Sequence, residues 1–276
     1  ISKSIVADLN GNIYITGYFQ SDYIILGGDT FNNANINFTD IFLAKYDSTG
    51  NVLWAKSAGE DGTDYGQSIA VDANGNVYVC GCFDNSFITF GTDTLYNTWS
   101  WGYDIFLVKY DSIGNVLWAK SVGGNSDDCG THLVINPNIV GGVFLSGSFL
   151  SDYIVFGNDT LDNYEAGSDF FVLKFDADGN ALWARTADDY SLDEVATAIT
   201  ADAIGNVYVT GWFNGDIMIF SYDTLFNFGS PGEPDIFIVK YDALGNLLWV
   251  KNAGGYNVDN STDIIADTSG GGGIFL

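Results

Sequence analysis

The strongest constraint on this chain is a repeat of about 65 residues. Trp54, Trp118, Trp183 and Trp249 lie 64, 65 and 66 residues apart. Each sits in a near-copy: GNVLWAKS at 50–57 and again at 114–121, GNALWART at 179–186, GNLLWVKN at 245–252. Upstream of each lies a second block: DIFLAKYD at 40–47, DIFLVKYD at 104–111, DFFVLKFD at 169–176, DIFIVKYD at 235–242. A third block reads GNIYITGYF at 11–19, GNVYVCGCF at 75–83, GGVFLSGSF at 141–149 and GNVYVTGWF at 205–213, and starts again at Gly272. Repeat periods of this length build architectures in which each unit buries its face against the next. The repeats run approximately 1–64, 65–129, 130–194 and 195–259, with a partial unit at 260–276, and form a single domain or segment over 1–276.

Each unit reads as four strands, because its apolar runs are short and rich in Val, Ile, Tyr, Phe and Trp. No run is long enough, or periodic enough at 3.6 residues, to predict a helix. The first and second strands are joined by DLNGN, DANGN, DAIGN or the looser NPNIVGG. The third and fourth are joined by DSTGN, DSIGN, DADGN or DALGN. In Asp-x-x-Gly-Asn the carboxylate accepts bonds from turn amides, and Gly supplies the positive φ of a turn with a bulge. Both connections are therefore antiparallel hairpins. The second and third strands are separated by about twenty residues, far more than a tight hairpin needs. That insert also repeats (LGGDTF at 26–31, FGTDTL at 90–95, FGNDTL at 156–161, FSYDTL at 220–225), so it is expected to be ordered, with one short extra strand. Small antiparallel sheets repeated radially make an all-β β-propeller of four complete blades and half a fifth. An open β-solenoid is the rival, but its coils are shorter and need no paired hairpins.

The blocks GN-V-Y-V-T-G, D-I-F-L-V-K-Y-D and GN-V-L-W-A-K resemble the bacterial SBBP-type β-propeller repeat family of secreted and surface proteins in Bacteroidetes-like bacteria. The resemblance spans nearly the whole chain. It implies an extracellular or cell-surface location. A likeness to quinoprotein-type propellers further implies that strand one is innermost and that the strand-four Trp docks on the neighbouring blade. No cofactor-ligand set of the quinoprotein enzymes is evident here. Four blades plus two strands do not close simply, so a larger protein is expected around this segment.

Composition sharpens the functional reading. Nine Lys and Arg face 35 Asp and Glu, a formal charge of −26. This argues against nucleic acid, which needs clustered basic residues, and against anionic lipid. No apolar run approaches 18 residues, so no membrane-inserted helix is expected. Eight of the nine basic residues are repeat columns: Lys45, Lys109, Lys174, Lys240, and Lys56, Lys120, Arg185, Lys251. Spread over every blade, they read as strand-end solvation or pairing with Asp, not as a binding patch. Sixteen Asp fall in four further columns, beginning at Asp8, Asp29, Asp40 and Asp47. Asp176-Ala177-Asp178-Gly179-Asn180 looks like the start of a calcium loop, but position twelve is Ala187, which cannot ligate. The unrepeated acid lies on the interblade links: Glu60, Asp61 and Asp64; Asp127 and Asp128; Asp188, Asp189, Asp193 and Glu194; Asp259 and Asp263. With Trp99, Trp101 and Trp212 it predicts an acidic face, able to take glycans or surface proteins and, in one reading, Ca²⁺. His132 is the only His, so no Ser-His-Asp, Cys-His or metal spacing can be built, and no catalytic residues or resident cofactor are expected. The leading reading is a structural or adhesive scaffold without catalytic activity. The alternative is a carbohydrate- or protein-binding module on the acidic long-loop face, and carboxylate pairs for glycan cleavage are a third reading without specificity. Cys80, Cys82 and Cys129 make an odd count and are expected to be small buried thiols.

Overall fold

The computed structural model describes residues 1–99, 101–135, 142–164, 167–187, 192–229, 232–267 and 273–275. Among these residues there are strands, turns and no helix. Four antiparallel four-stranded sheets follow one another. The first comprises β1 (Ser2–Ala7), β2 (Ile13–Phe19), β5 (Asp40–Tyr46) and β6 (Val52–Ala58) in that spatial order, with the hairpin β3 (Tyr23–Leu26)–β4 (Asp29–Asn32) between its middle strands. The second has β7 (Asp64–Val71), β8 (Val77–Phe83), β11 (Asp104–Tyr110) and β12 (Val116–Val122), with hairpin β9 (Phe87–Phe90)–β10 (Asp93–Tyr96). The third has β13 (Asp128–Ile135), β14 (Val143–Phe149), β17 (Asp169–Phe175) and β18 (Ala181–Arg185), with β15 (Tyr153–Phe156)–β16 (Asp159–Asp162). The fourth has β19 (Glu194–Ala201), β20 (Val207–Phe213), β23 (Asp235–Tyr241) and β24 (Leu247–Ala253), with β21 (Ile217–Phe220)–β22 (Asp223–Phe226). The pair β25 (Ile265–Ala266)–β26 (Ile274–Phe275) follows. These are the blades of an all-β propeller segment. The insert holds two strands where the sequence predicts one, because its central Gly closes a two-residue turn that pairs Phe90 with Asp93.

Contacts divide the chain into two compact units, Ile1–Leu133 and Val134–Leu276. In each, the core lies between sheets. In the first, Tyr14, Ile41 and Leu43 meet Val77, Val79, Phe106 and Val108. In the second, Phe144, Phe170 and Val172 meet Val207, Val209, Phe237 and Val239.

The turns take the expected form. Asp111 Oδ1 accepts from the amides of Ile113 (3.0 Å) and Asn115 (2.8 Å), and Oδ2 accepts from Asn115 Nδ2 at 2.9 Å. Gly114 has φ +86°. The following bulge skips Leu117, which leaves it half exposed. Its glycine has a second use. A Cβ on Gly114 would lie 3.0 Å from the Trp54 ring of the preceding blade, and one on Gly245 would lie 2.8 Å from Trp183.

That approach is the blade junction. Trp54 Nε1 and Lys45 Nζ both donate to the Ser112 carbonyl of the next blade's turn, at 3.2 and 3.0 Å. Trp183 Nε1 and Lys174 Nζ converge likewise on the Ala243 carbonyl, at 3.3 and 2.7 Å. The expected docking of the strand-four Trp therefore holds at both of these junctions. The lysines differ from expectation. Lys45, Lys109 and Lys174 are buried, not solvated at strand ends, and each ammonium lies 5.0–5.3 Å over an aromatic ring of its own blade. Cation–π attraction offsets part of the burial cost of such an ammonium, and at Lys45 and Lys174 a carbonyl partner offsets more of it.

The cysteines also differ. Cys82 on β8 and Cys129 on β13 form a disulfide with Cα atoms 5.0 Å apart, while Cys80 stays a buried thiol. The same position one blade earlier holds the edge-to-face pair Tyr18–Tyr65, with ring centroids 4.7 Å apart. Partners one blade apart lie far apart in sequence, so an odd count conceals the bridge.

Trp183 is 5% exposed, whereas Trp54, Trp118 and Trp249 are half-buried. Trp183→Ala should cost about 3–5 kcal/mol in denaturant unfolding. A change near zero contradicts this junction.

Candidate functional site

The link residues expected to form an acidic face lie, within each unit, where a third strand begins beside the next blade's first strand. The backbone explains much of its acid. The amides of Asp64, Asp128, Glu194 and Asp259 donate to the carbonyls of Thr39, Tyr103, Ser168 and Pro234, at 2.6–2.8 Å. Asp64, Asp128 and Glu194 are buried by this pairing. Asp64 accepts from the Glu60 amide (3.2 Å) and, through both oxygens, from Asn85 Nδ2 (2.9 and 2.8 Å). Asp84 accepts from the Thr63 amide, Asp127 from the Tyr103 amide (3.1 Å), and Asp193 from the Ser168 amide (3.0 Å) and Asn214 Nδ2 (3.0 Å). Asp188 and Asp189 lie outside the described residues. Through these bonds Asp64, Asp84, Asp127 and Asp193 fasten loops. Among the described residues no three His, Cys, Asp or Glu side chains gather as a metal would require.

The buried column at the start of the third strand completes this region. Asp40 accepts from the Ala34 amide, Asp104 from the Thr98 amide and hydroxyl, and Asp235 from the Phe228 amide, all at 2.7–2.9 Å. The other oxygen of each is buried and makes no hydrogen bond to a described residue. It faces the Cα of Gly59, Gly123 or Gly254, where a Cβ would collide with the carboxylate. A weak C–H···O contact is what remains there. Burial raises Asp40, Asp64 and Asp104. Asp64 is pushed up to about 8, by desolvation first and then by the charges of Asp40 and Asp84. Asp40 rises to about 6, by desolvation and the charge of Glu60. Asp104 is raised by desolvation as well. In the exposed turns, Asp111, Asp176 and Asp242 are lowered by amide and Asn hydrogen bonds.

The aromatic candidates are divided between the two units. Trp101 is 89% exposed and Trp99 about half exposed, on one loop that Asn97 ties to the Phe83 and Gly102 carbonyls. Trp212 is half-buried on β20 in the other unit. His132 Nδ1 meets the Thr131 hydroxyl at 2.9 Å, its neighbour on the strand.

Sequence reasoning passed over an open cleft of about 620 Å³ in the second unit, between hairpins β15–β16 and β21–β22 and the turn after β23. Arg185 lines it. Arg185 Nε donates to the Gly245 carbonyl at 2.8 Å, Nη1 is 3.2 Å from Asp159 Oδ2, and the guanidinium lies 5.8 Å from the Trp183 ring. The corresponding cleft in the first unit measures about 300 Å³ and is lined by Lys56, Gly91 and Thr92. A usable signal was in the sequence: Ser221 replaces a glycine kept in the other three inserts.

Comparison with known proteins agrees with this architecture. Residues 54–81 match the profile of the β-propeller repeat SBBP, covering the fourth strand of one blade and the first two of the next. An uncharacterized WD repeat-containing protein of Acanthamoeba polyphaga mimivirus is 26% identical over 98% of this chain. The regulatory protein FlaEY of Caulobacter vibrioides is 29% identical over 67%. The chain spans 23% and 19% of the lengths of these relatives. The protein is a repetitive all-β chain of the β-propeller class.

The acid pair predicts an unusual pH response. Asp40 and Asp64 have folded pKa values above the unfolded carboxylate value near 4, so they favour folding at low pH and lose that contribution as pH rises through 6 and 8. Unfolding free energy should fall between pH 5 and pH 9, with a slope approaching about 2.7 kcal/mol per pH unit near pH 5, where both groups contribute, and of up to about 1.4 above pH 6, where Asp64 acts alone. Asp64→Asn should flatten it; an equal slope in the variant contradicts the assignment.

Proposed function

We propose that this chain is a non-catalytic β-propeller scaffold that works outside the reducing cytosol, at the cell surface or in the extracellular space. The observation that carries the scaffold reading is the use of the repeated polar residues. Turn Asp, buried Lys and outer-strand Trp are spent on hydrogen bonds within blades and across junctions. Catalysis needs a base or nucleophile set apart from such duties. The location is supported by the Cys82–Cys129 disulfide, because such bonds persist in oxidising compartments. Surface proteins or glycans are the partners this reading favours. The charge of −26 supports leaving nucleic acid out.

The test is a thiol count with a stability measurement. The unfolded, unreduced chain should yield one reactive thiol, that of Cys80, and reduction should release two more. Reduction should lower unfolding free energy by about 4 kcal/mol, the loop-closure contribution for residues 47 apart. Three thiols before reduction, in protein isolated from its native compartment, contradict the location. A hydrolytic activity abolished by one carboxylate substitution contradicts the scaffold.

A further inference from the structure

In a repeat protein, residues common to every blade serve the fold. A specific site is sought where several departures from the repeat meet. Three meet at the cleft of about 620 Å³ between the third and fourth blades. Arg185 stands where the other blades have Lys56, Lys120 and Lys251. Ser221 stands where they have Gly27, Gly91 and Gly157. Tyr222 stands where they have Gly28, Thr92 and Asn158.

Each departure is hard to explain by stability. Ser221 has φ +44°, alone among the non-glycine described residues in having positive φ, at a turn position that glycine occupies without cost. Residues held in this region cluster at ligand sites. Tyr222 is 92% exposed beside it, so no packing calls for its ring. Arg185 is half exposed, and its Nε and Nη1 are committed to Gly245, Asp159 and Ala184. Nη2 makes no hydrogen bond to any described residue, so two N–H groups of a fixed fork remain for a ligand.

We infer that this cleft binds a neutral saccharide. The chemistry excludes the alternatives in turn. A cation would meet the Arg185 guanidinium. An anion would meet Asp159 and Asp162, both lining the cleft, in a chain of net charge −26. A purely apolar ligand would strand these charged groups. A polyhydroxyl ligand both donates and accepts. Its hydroxyls match the Asp162 carboxylate, the Arg185 N–H groups and the Asn246 amide, while its C–H face stacks on the Tyr222 ring. The volume suits a ligand of two or more sugar rings. The first unit's counterpart, half the size and without the Arg, the carboxylates or the exposed Tyr, is not such a site. This inference concerns a ligand and does not depend on where the protein works.

The test is binding of the full chain to immobilised neutral gluco-, galacto- and manno-oligosaccharides, beside sulfated and uronate glycans and acidic and basic peptides, with calorimetry on the best neutral hit. Binding should be confined to neutral glycans. Tyr222→Thr and Arg185→Lys, which install residues of the other blades, should each weaken it at least tenfold without changing the melting curve. Trp101→Ala, on the other unit's loop, should leave it unchanged. Binding of none of the neutral glycans, binding only of charged glycans or peptides, or loss on Trp101→Ala with retention in Tyr222→Thr overturns the proposal.

Discussion

Within each compact unit, one blade junction depends on a single carbonyl oxygen. At Ser112 and again at Ala243, a main-chain oxygen in an Asp-x-x-Gly-Asn turn accepts from an indole N–H and an ammonium of the preceding blade. The two donors are cross-strand partners, Lys45 with Trp54 and Lys174 with Trp183, so they arrive together. The turn presents that oxygen because the Asp side chain takes the amides around it. The turn's Gly supplies the left-handed residue and the room for the indole. One five-residue turn thus closes its own hairpin and receives its neighbour. This is why turn, Lys and Trp recur together in the sequence.

The charge follows from the same economy of parts. Much of the −26 is distributed as turn carboxylates, loop fasteners at strand starts, and hairpin pins such as Asp93 and Asp159, which accept from the Ala119 and Ala184 amides on the fourth strand. Where burial is deep, as at Asp64, the carboxyl is held toward its neutral form, so the formal charge overstates the charge of the folded chain near neutral pH.

The strands and both hairpin turns were legible because each is local chemistry repeated along the chain, and the docking Trp because the likeness to quinoprotein-type propellers implied it. The second strand of the insert was less so: the Gly that closes its turn was visible, but four residues on each side are too short to show alternation. The burial of Lys45, Lys109 and Lys174 was not legible, since a Lys in a strand usually reads as solvated, and its carbonyl partner at Lys45 lies 67 residues away. The Cys82–Cys129 bridge was hidden for a similar reason. It joins one repeat column to the next blade's column, at a position that elsewhere holds Tyr18 and Tyr65. The cleft beside Arg185 was hidden by the strength of the repeat itself: a strand-four cation recurs in all four blades, and only the neighbouring Ser221 and Tyr222 mark this one as different.

The most direct test of this account is amide hydrogen exchange in Trp183→Ala. The account predicts that protection is lost at Leu244, Gly245 and Asn246, whose amides are held by Asp242 in the next blade's turn, while Asp178, Gly179 and Asn180 in the blade's own turn keep theirs. Unchanged protection at 244–246, or loss confined to 178–180, would show that the junction does not hold the neighbouring turn and would contradict the account.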